Sequence, residues 1–416
     1  MSLLKRLNPI AAIADQAWLS LLSFAIALAF IWGAEKIEYG HYILLTTPLL
    51  LVQSIQNALV NSPLATILPA AEPAAQLQLK STAISIHVFL GGAAALLGGV
   101  ALFVYGQLSG FDANSFLIGG FSLAIMGTVA REAQRALAYA NREGPRALLS
   151  DLVYGGLLLA GLGAAIVGEE FTAAVVLAAT GFAGLAPLLV KIGAIQELSI
   201  HSGSLQKFWS CGRWALPSVL ATWVTLSSYP YFASTYLDIA AVAEIGAARL
   251  FLMPIGLVTT AWGNWYRPLI SRWFADGDLV SIKRATNTSL VVGALAMSFT
   301  ALLLFVAYPM AEPLLGPQYQ GLQNLVLIWL IYFALALARN IFMATLMVDA
   351  NGYRILHHVT WVALALAMPC FMLFSANGAV WVIGILCSIE FFQLIVVVIK
   401  ATRYWQQLNG RRGENA

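Results

Sequence analysis

The chain has 416 residues, of which 60% are apolar and only 10% are charged, with a net charge of +3 and a mean hydropathy of +0.81. A soluble domain carries about 25% charged residues, so this composition excludes a water-soluble enzyme, a disordered chain and a disulfide scaffold. The small, scattered net charge gives no footprint for nucleic acid.

The apolar residues come in runs long enough to cross about 30 Å of hydrocarbon as helices. Twelve spans are predicted, at 13–34, 40–61, 82–105, 114–138, 148–168, 172–192, 211–236, 245–263, 287–309, 321–346, 356–375 and 379–399. The first run is too long for a cleavable signal peptide and many others follow it. All twelve should be helices, because lipid offers no partner to an open backbone group and a β-barrel would show alternation. Cys211, Cys370 and Cys387 lie in or beside apolar runs without paired spacing and read as small core residues. No cofactor or metal set is expected. The side-by-side His357 and His358 are poorly spaced for one ion, and His87 reads as a packed, hydrogen-bonded residue.

Placing the N-terminus in the cytoplasm puts eighteen of the 22 basic residues in inner segments and only Lys36 outside. Arg131, Arg249 and Arg339 fall within spans, while the outer loops carry acids such as Glu35, Glu169 and Glu312. That division is a strong positive-inside signal and supports an even span count. The loops are short, so the helix bundle itself must carry the function. Transport fits; no catalytic constellation appears.

The chain also repeats. Glu38, Gly40 and Pro48 are matched by Glu244, Gly246 and Pro254 at an offset of 206, and Arg131, Gly144 and Arg146 by Arg339, Gly352 and Arg354 at an offset of 208. The expected architecture is an all-α membrane protein of two six-helix lobes, related by a pseudo-two-fold axis along the membrane normal. Residues 1–192 form the first lobe, 193–210 a cytoplasmic linker, 211–400 the second lobe and 401–416 a cytoplasmic tail. Pro48, Pro217, Pro230 and Pro254 are set to kink their helices. Gly91, Gly92, Gly98 and Gly99 permit close packing of span 3. The segment around Lys207 and Trp209 reads as an interfacial helix.

A charge inside hydrocarbon costs several kcal/mol unless it meets water or a partner, so each intramembrane charge is a functional candidate. Arg131 and Arg339 occupy matched places, with Arg135 one turn from Arg131 on the same face. Arg249 lies one or two turns inside span 8. On one reading these arginines line a cationic cavity that grips a phosphate-bearing headgroup through paired hydrogen bonds. On the other they snorkel or pair locally, with Glu132 beside Arg131 and Glu244 near Arg249. Glu390, mid-span, and Asp15, near the inner end of span 1, are the candidates for ion coupling. Asp151, at the start of span 5, reads as a complement to its helix N-terminus.

Several stretches carry a family likeness. They are Asp15-Gln16-Ala17, Glu38-Tyr39-Gly40, the run Gln53–Pro63, the run Arg131–Asp151 and the run Glu244–Pro268. In these the chain resembles, over essentially its whole length, the polysaccharide-transporter (Wzx-type) branch of the multidrug/oligosaccharidyl-lipid/polysaccharide flippase superfamily. The resemblance implies a multi-pass protein of the bacterial inner membrane that moves an undecaprenyl-pyrophosphate-linked glycan, an O-antigen or exopolysaccharide repeat unit, to the outer leaflet by alternating access. It implies a cationic central cavity matched by Arg131, Arg249 and Arg339, coupling to a proton or sodium ion, and glycan polymerase and chain-length proteins as partners. It does not identify a coupling acid.

Three other classes compete. A drug or organic-cation antiporter of the same superfamily should line its cleft with carboxylates, whereas the in-span charges here are mostly arginine. A major-facilitator carrier usually shows a basic Gly-Asp-Arg-rich loop between spans 2 and 3, yet Ser62–Lys80 holds one basic residue. A glycan polymerase or ligase typically needs a large outer loop, and none is long enough.

Overall fold

A computed structural model describes residues 2–109, 111–188, 198–347 and 350–413. The described chain is helical, with no strand among those residues. Nine of its helical stretches are long and apolar enough to cross a membrane, and two shorter apolar ones are Ala173–Leu188 and Ala215–Ser227. The chain divides into two compact units, Met1–Trp223 and Val224–Ala416.

The first unit contains α1 (Ser2–Gly33), α2 (Lys36–Gln56), α3 (Ser62–Ile67), α4 (Pro73–Ser109), α5 (Ser115–Ala140), α6 (Gly144–Val167), α7 (Ala173–Leu185) and most of α8 (Ser202–Ser227). Helix α5 is its hub and packs on α7, α4, α2 and α6, while α1 lies along α6. The tightest approach, α5 against α7, rests on glycine. A methyl group on Gly127 would collide with the Gly181 carbonyl, and one on Gly184 would lie 2.6 Å from the Gly127 carbonyl. Lipid tails are as apolar as leucine, so helices in membranes associate through this kind of backbone proximity. Gly98 and Gly99 of α4 do similar service against Ile125 and Ser122 of α5, as their spacing predicted.

Expected span 2 continues beyond its predicted end. Pro48 sits inside α2 without breaking it, and the helix then passes through a π-turn at Asn57–Asn61 into α3. His87 of α4 packs beside that turn. Its Nδ1 accepts from Gln56 Nε2 at 3.1 Å, and the same amide nitrogen donates to the Val129 carbonyl at 2.9 Å.

The second unit contains the end of α8, then α9 (Tyr229–Tyr236), α10 (Ile239–Leu250), α11 (Met253–Asp276), α12 (Leu279–Ala311), α13 (Gln323–Leu346), α14 (Ala350–Phe374) and α15 (Ala379–Gly413). Its hub is α13, packed most extensively on α15. Here the structure corrects two predicted spans. Span 7 is not one helix, because it breaks at Ser228, and Pro230 lies in the first turn of α9. Span 8 breaks at Phe251 and Leu252, with Pro254 in the first turn of α11. Proline lacks the N–H a continuing helix requires but suits a first turn, so these two start helices rather than kink them.

The division between units falls within α8, so residues 211–223 pack with the first unit. Gly212 abuts Leu59, Phe208 joins the core around Val60 and Leu64, and the Trp223 indole donates to the Thr47 carbonyl at 3.3 Å. Residues 193–197 of the expected linker lie outside the described residues; Lys207 and Trp209 lie in α8. Of the three cysteines expected in the core, Cys387 is buried and Cys370 partly so, but Cys211 is on the exposed side of α8.

Candidate functional site

In the first unit the intramembrane charges converge. Arg131, Arg135 and Tyr139 follow one another at four-residue spacing on α5 and share a face. Glu132 sits beside them, Asp15 comes from α1 and Asp151 from the first turns of α6. Helix α6 is brought up to α1 by Gly155, where any side chain would run into the Trp18 indole. Trp18 Nε1 donates to the Asp151 backbone carbonyl at 2.8 Å, which sets the register of the two helices.

Arg135 is the centre of this cluster. Its Nη2 donates to Asp15 Oδ2 at 2.8 Å and its Nη1 to Glu132 Oε1 at 3.0 Å. Its Nε lies 2.7 Å from Asp151 Oδ2. Arg131 Nη2 donates to Glu132 Oε1 at 2.8 Å, its Nε is 4.0 Å from Asp151 Oδ1, and its guanidinium lies over the Tyr154 ring at 4.4 Å. The Tyr139 hydroxyl donates to Asp15 Oδ2 at 2.6 Å. Asp15 and Asp151 have no exposed surface at all.

In the second unit Arg339 of α13 makes a two-pronged pair with Glu390 of α15, Nε to Oε2 at 2.5 Å and Nη2 to Oε1 at 3.2 Å. Glu390 is fully buried. The remaining nitrogen, Nη1, faces Met343 Sδ at 2.8 Å. Arg249 differs. It ends α10, one residue short of the break before α11, and it is exposed although its neighbours Ala247, Ala248 and Leu250 are buried. Its Nη1 is 3.5 Å from the Tyr229 hydroxyl, and its guanidinium lies 5.6 Å from the Trp329 ring. The N-terminus of α11 opposite the break has no side-chain cap.

The six residues singled out from sequence thus fall into three places. Arg131, Arg135 and Asp15 meet in one network, Arg339 and Glu390 meet in one pair, and Arg249 stands at a helix break. Local pairing, the plainer of the two sequence readings, describes Arg131, Arg135 and Arg339. Sequence reasoning missed the part played by Asp151 and assigned none to Tyr139 or Tyr154. The only signal for Tyr139 was its position one turn beyond Arg135.

No protein-family model and no curated protein matches the sequence. Solved structures do match its fold. The lipid II flippase MurJ in an inward closed conformation superposes with a TM-score of 0.75 at 10% identity, over 96% of this chain and 89% of that one. A transporter of the MOP superfamily from Pyrococcus furiosus, described as having a binding pocket of reversed polarity, gives 0.66 at 12% identity over 98% and 96%. An outward-facing multidrug-resistance MATE transporter gives 0.63 at 12% identity over 98% and 96%. The chain therefore shares an all-α fold with these flippases and transporters, and it is a multi-pass membrane protein.

Proposed function

We propose that the chain is a transporter of the bacterial inner membrane that flips an anionic, lipid-linked glycan, an undecaprenyl-pyrophosphate-linked polysaccharide repeat unit, toward the outer leaflet. The observation that carries this reading is Arg249. A permanently charged guanidinium is held exposed at a break between two half-helices. Irregular backbone at membrane depth is tolerated where it is buried in protein or lines a wet cavity, and half-helix N-termini there favour anionic groups. An arginine fork beside the uncapped start of α11 is suited to a phosphate. The likeness to a lipid II flippase agrees with a lipid-linked glycan as cargo.

In this account the two units, Met1–Trp223 and Val224–Ala416, rock to give alternating access, with both termini cytoplasmic. Arg131, Arg135 and Arg339, expected at the cargo site, are engaged by their carboxylates and act as fixed anchors within the helices. Glu390 is the partner that orients Arg339. Glycan polymerase and chain-length proteins are the partners such a cargo implies.

A second reading, an ion-coupled organic-cation antiporter, has one observation in its favour. The cluster of the first unit holds three acids against two bases. Complementation separates the two readings. Expression in a strain lacking its repeat-unit flippase should restore surface glycan, and Arg249→Ala should lose the rescue while the protein remains in the membrane at normal abundance. Export of cationic dyes from a pump-deficient strain, without rescue of surface glycan, would establish the antiporter instead.

A further inference from the structure

We infer that the end of the second unit where α11 turns into α12, α14 begins and α15 finishes is a binding site for the phosphate headgroup of an anionic phospholipid in the cytoplasmic leaflet. The inference goes beyond the transport reading and does not depend on the cargo.

One packed cluster holds these helices together. Trp405 of α15 packs with Ile270 of α11 and Ile282 of α12, and also with Leu356 of α14 and with Val397 and Ala401 of its own helix. Basic residues flank these positions. Lys283 follows Ile282, Arg354 precedes Ile355, which packs on the same cluster, and Lys400 precedes Ala401. Arg284 lies beside Lys283, and Arg403 stands three residues from Lys400 on the same face of α15. All five are exposed. Three helices thus bring five positive charges round one apolar collar.

The acids at this end are engaged elsewhere. Asp278 caps α12, accepting from Ser281 N at 3.0 Å, and Asp276 stands 3.9 Å from Arg272. Among the described residues, no carboxylate forms an ion pair with any of the five. The internal repeat makes this excess particular to the second unit. The match of Arg354 is Arg146, which Glu143 neutralises at 2.7 Å, whereas the residue matching Glu143 is Asn351. Lys283 and Arg284 match the uncharged Leu77 and Gln78 at the offset of 206. The positive-inside preference places this end in the cytoplasm but asks no more of one half than of the other, so the surplus calls for an anionic ligand.

Depth selects which anion. Arg354 opens the apolar stretch Arg354–Asn377, Arg403 closes Ala379–Arg403, and Lys283 and Arg284 lie in the first turns of Leu279–Met310. Charges at the ends of spans stand at the level of lipid phosphates, and basic surfaces between helices there hold anionic headgroups. Exposed Val280 and Ile399, beside these bases in sequence, offer apolar surface to the acyl chains. Trp273 and Trp405 are side chains of the kind that gathers at a membrane interface.

The test is titration of the purified full-length protein in neutral detergent with phosphatidylglycerol or with phosphatidylcholine of the same chains, read by native mass spectrometry and by the thermal melt. Phosphatidylglycerol should bind and raise the melt, and phosphatidylcholine should do neither. The triple variant Lys283→Gln, Arg354→Gln, Arg403→Gln should bind phosphatidylglycerol roughly 100-fold more weakly, and Lys400→Gln alone roughly fivefold. Both should melt like the wild type without lipid, because the residues are exposed. Arg142→Gln with Arg146→Gln, in the first unit, should leave lipid binding unchanged. Equal binding of the two lipids, full affinity in the triple variant, or an equal rise in the melt with inorganic phosphate would overturn the inference. So would a wild type that ignores phosphatidylglycerol but binds polyglutamate through these residues. Loss of the lipid site in a protein that still rescues surface glycan would overturn this inference alone and leave the cargo assignment standing.

Discussion

The two units answer the same problem, an arginine held inside hydrocarbon, in different ways, and the difference shows what a surplus of acid adds. The offset of 208 that relates Arg131 to Arg339 places Asn340 where the first unit has Glu132. It likewise places Met343 opposite Arg135, Met347 opposite Tyr139 and Val359 opposite Asp151. The second unit has the arginine without those polar surroundings, leaving one carboxylate, Glu390, from a helix that corresponds to none of the three acid-bearing helices of the first. One acid and one base close a neutral pair with no proton required. Among the described residues the network of the first unit holds three acids against two bases. The second unit therefore has a self-contained anchor of one pair, and the first a wider network that ties three helices together.

Substitutions can break this contrast, beginning with the largest effect. Arg135→Ala would leave Asp15 and Asp151 without their main counter-charge. Breaking a buried ion pair from one side costs about 3–5 kcal/mol, and a residue that bridges three acids belongs at the upper end. The check is a thermal melt of the detergent-purified protein beside Arg339→Ala, which should lose less. Replacing the whole Arg339–Glu390 pair by Met and Leu should be neutral or stabilising by about 1–4 kcal/mol while impairing rescue of surface glycan. A melt as low as that of Arg339→Ala alone would show that the pair is not a self-contained anchor.

Gly127→Leu probes packing rather than charge. The α5–α7 contact has no space for a side chain, and overpacking typically costs about 1–3 kcal/mol. The melt should fall accordingly. Smallest is Asp238→Ala, which removes the cap whose Oδ1 accepts from Ala241 N at 2.6 Å. The loss should be about 0.5–2 kcal/mol, with transport preserved.

Much of this arrangement was legible before any coordinates. Length and hydropathy gave the span positions, because a helix crossing hydrocarbon must be long and apolar. The repeat was visible in a handful of Glu, Gly, Pro and Arg positions, and the helices follow it. Thus α4 and α12 begin at Pro73 and Leu279, α5 and α13 at Ser115 and Gln323, and α7 and α15 at Ala173 and Ala379, at offsets of 206, 208 and 206. What could not be read was long range. Asp15 precedes Arg135 by 120 residues, and nothing local distinguishes an acid that caps a helix from one that closes a network on another. Asp151 was expected to complement the start of its helix, but α6 begins at Gly144, two turns earlier, and the Asp151 side chain turns to Arg135. The breaks in spans 7 and 8 were half legible. Pro230 and Pro254 marked the places, but a proline kinks or starts a helix according to whether the preceding backbone is held, and packing decides that.

The central claim is that an anionic lipid-linked glycan is the cargo and that Arg249 meets it. The direct measurement is flipping of a fluorescent undecaprenyl-pyrophosphate oligosaccharide in proteoliposomes, read by accessibility of the label to a membrane-impermeant quencher. The account predicts that the wild type moves this lipid, that Arg249→Lys retains part of the rate and that Arg249→Ala loses it. Equal rates in wild type and Arg249→Ala, or transport of an organic cation with none of the lipid, would contradict it.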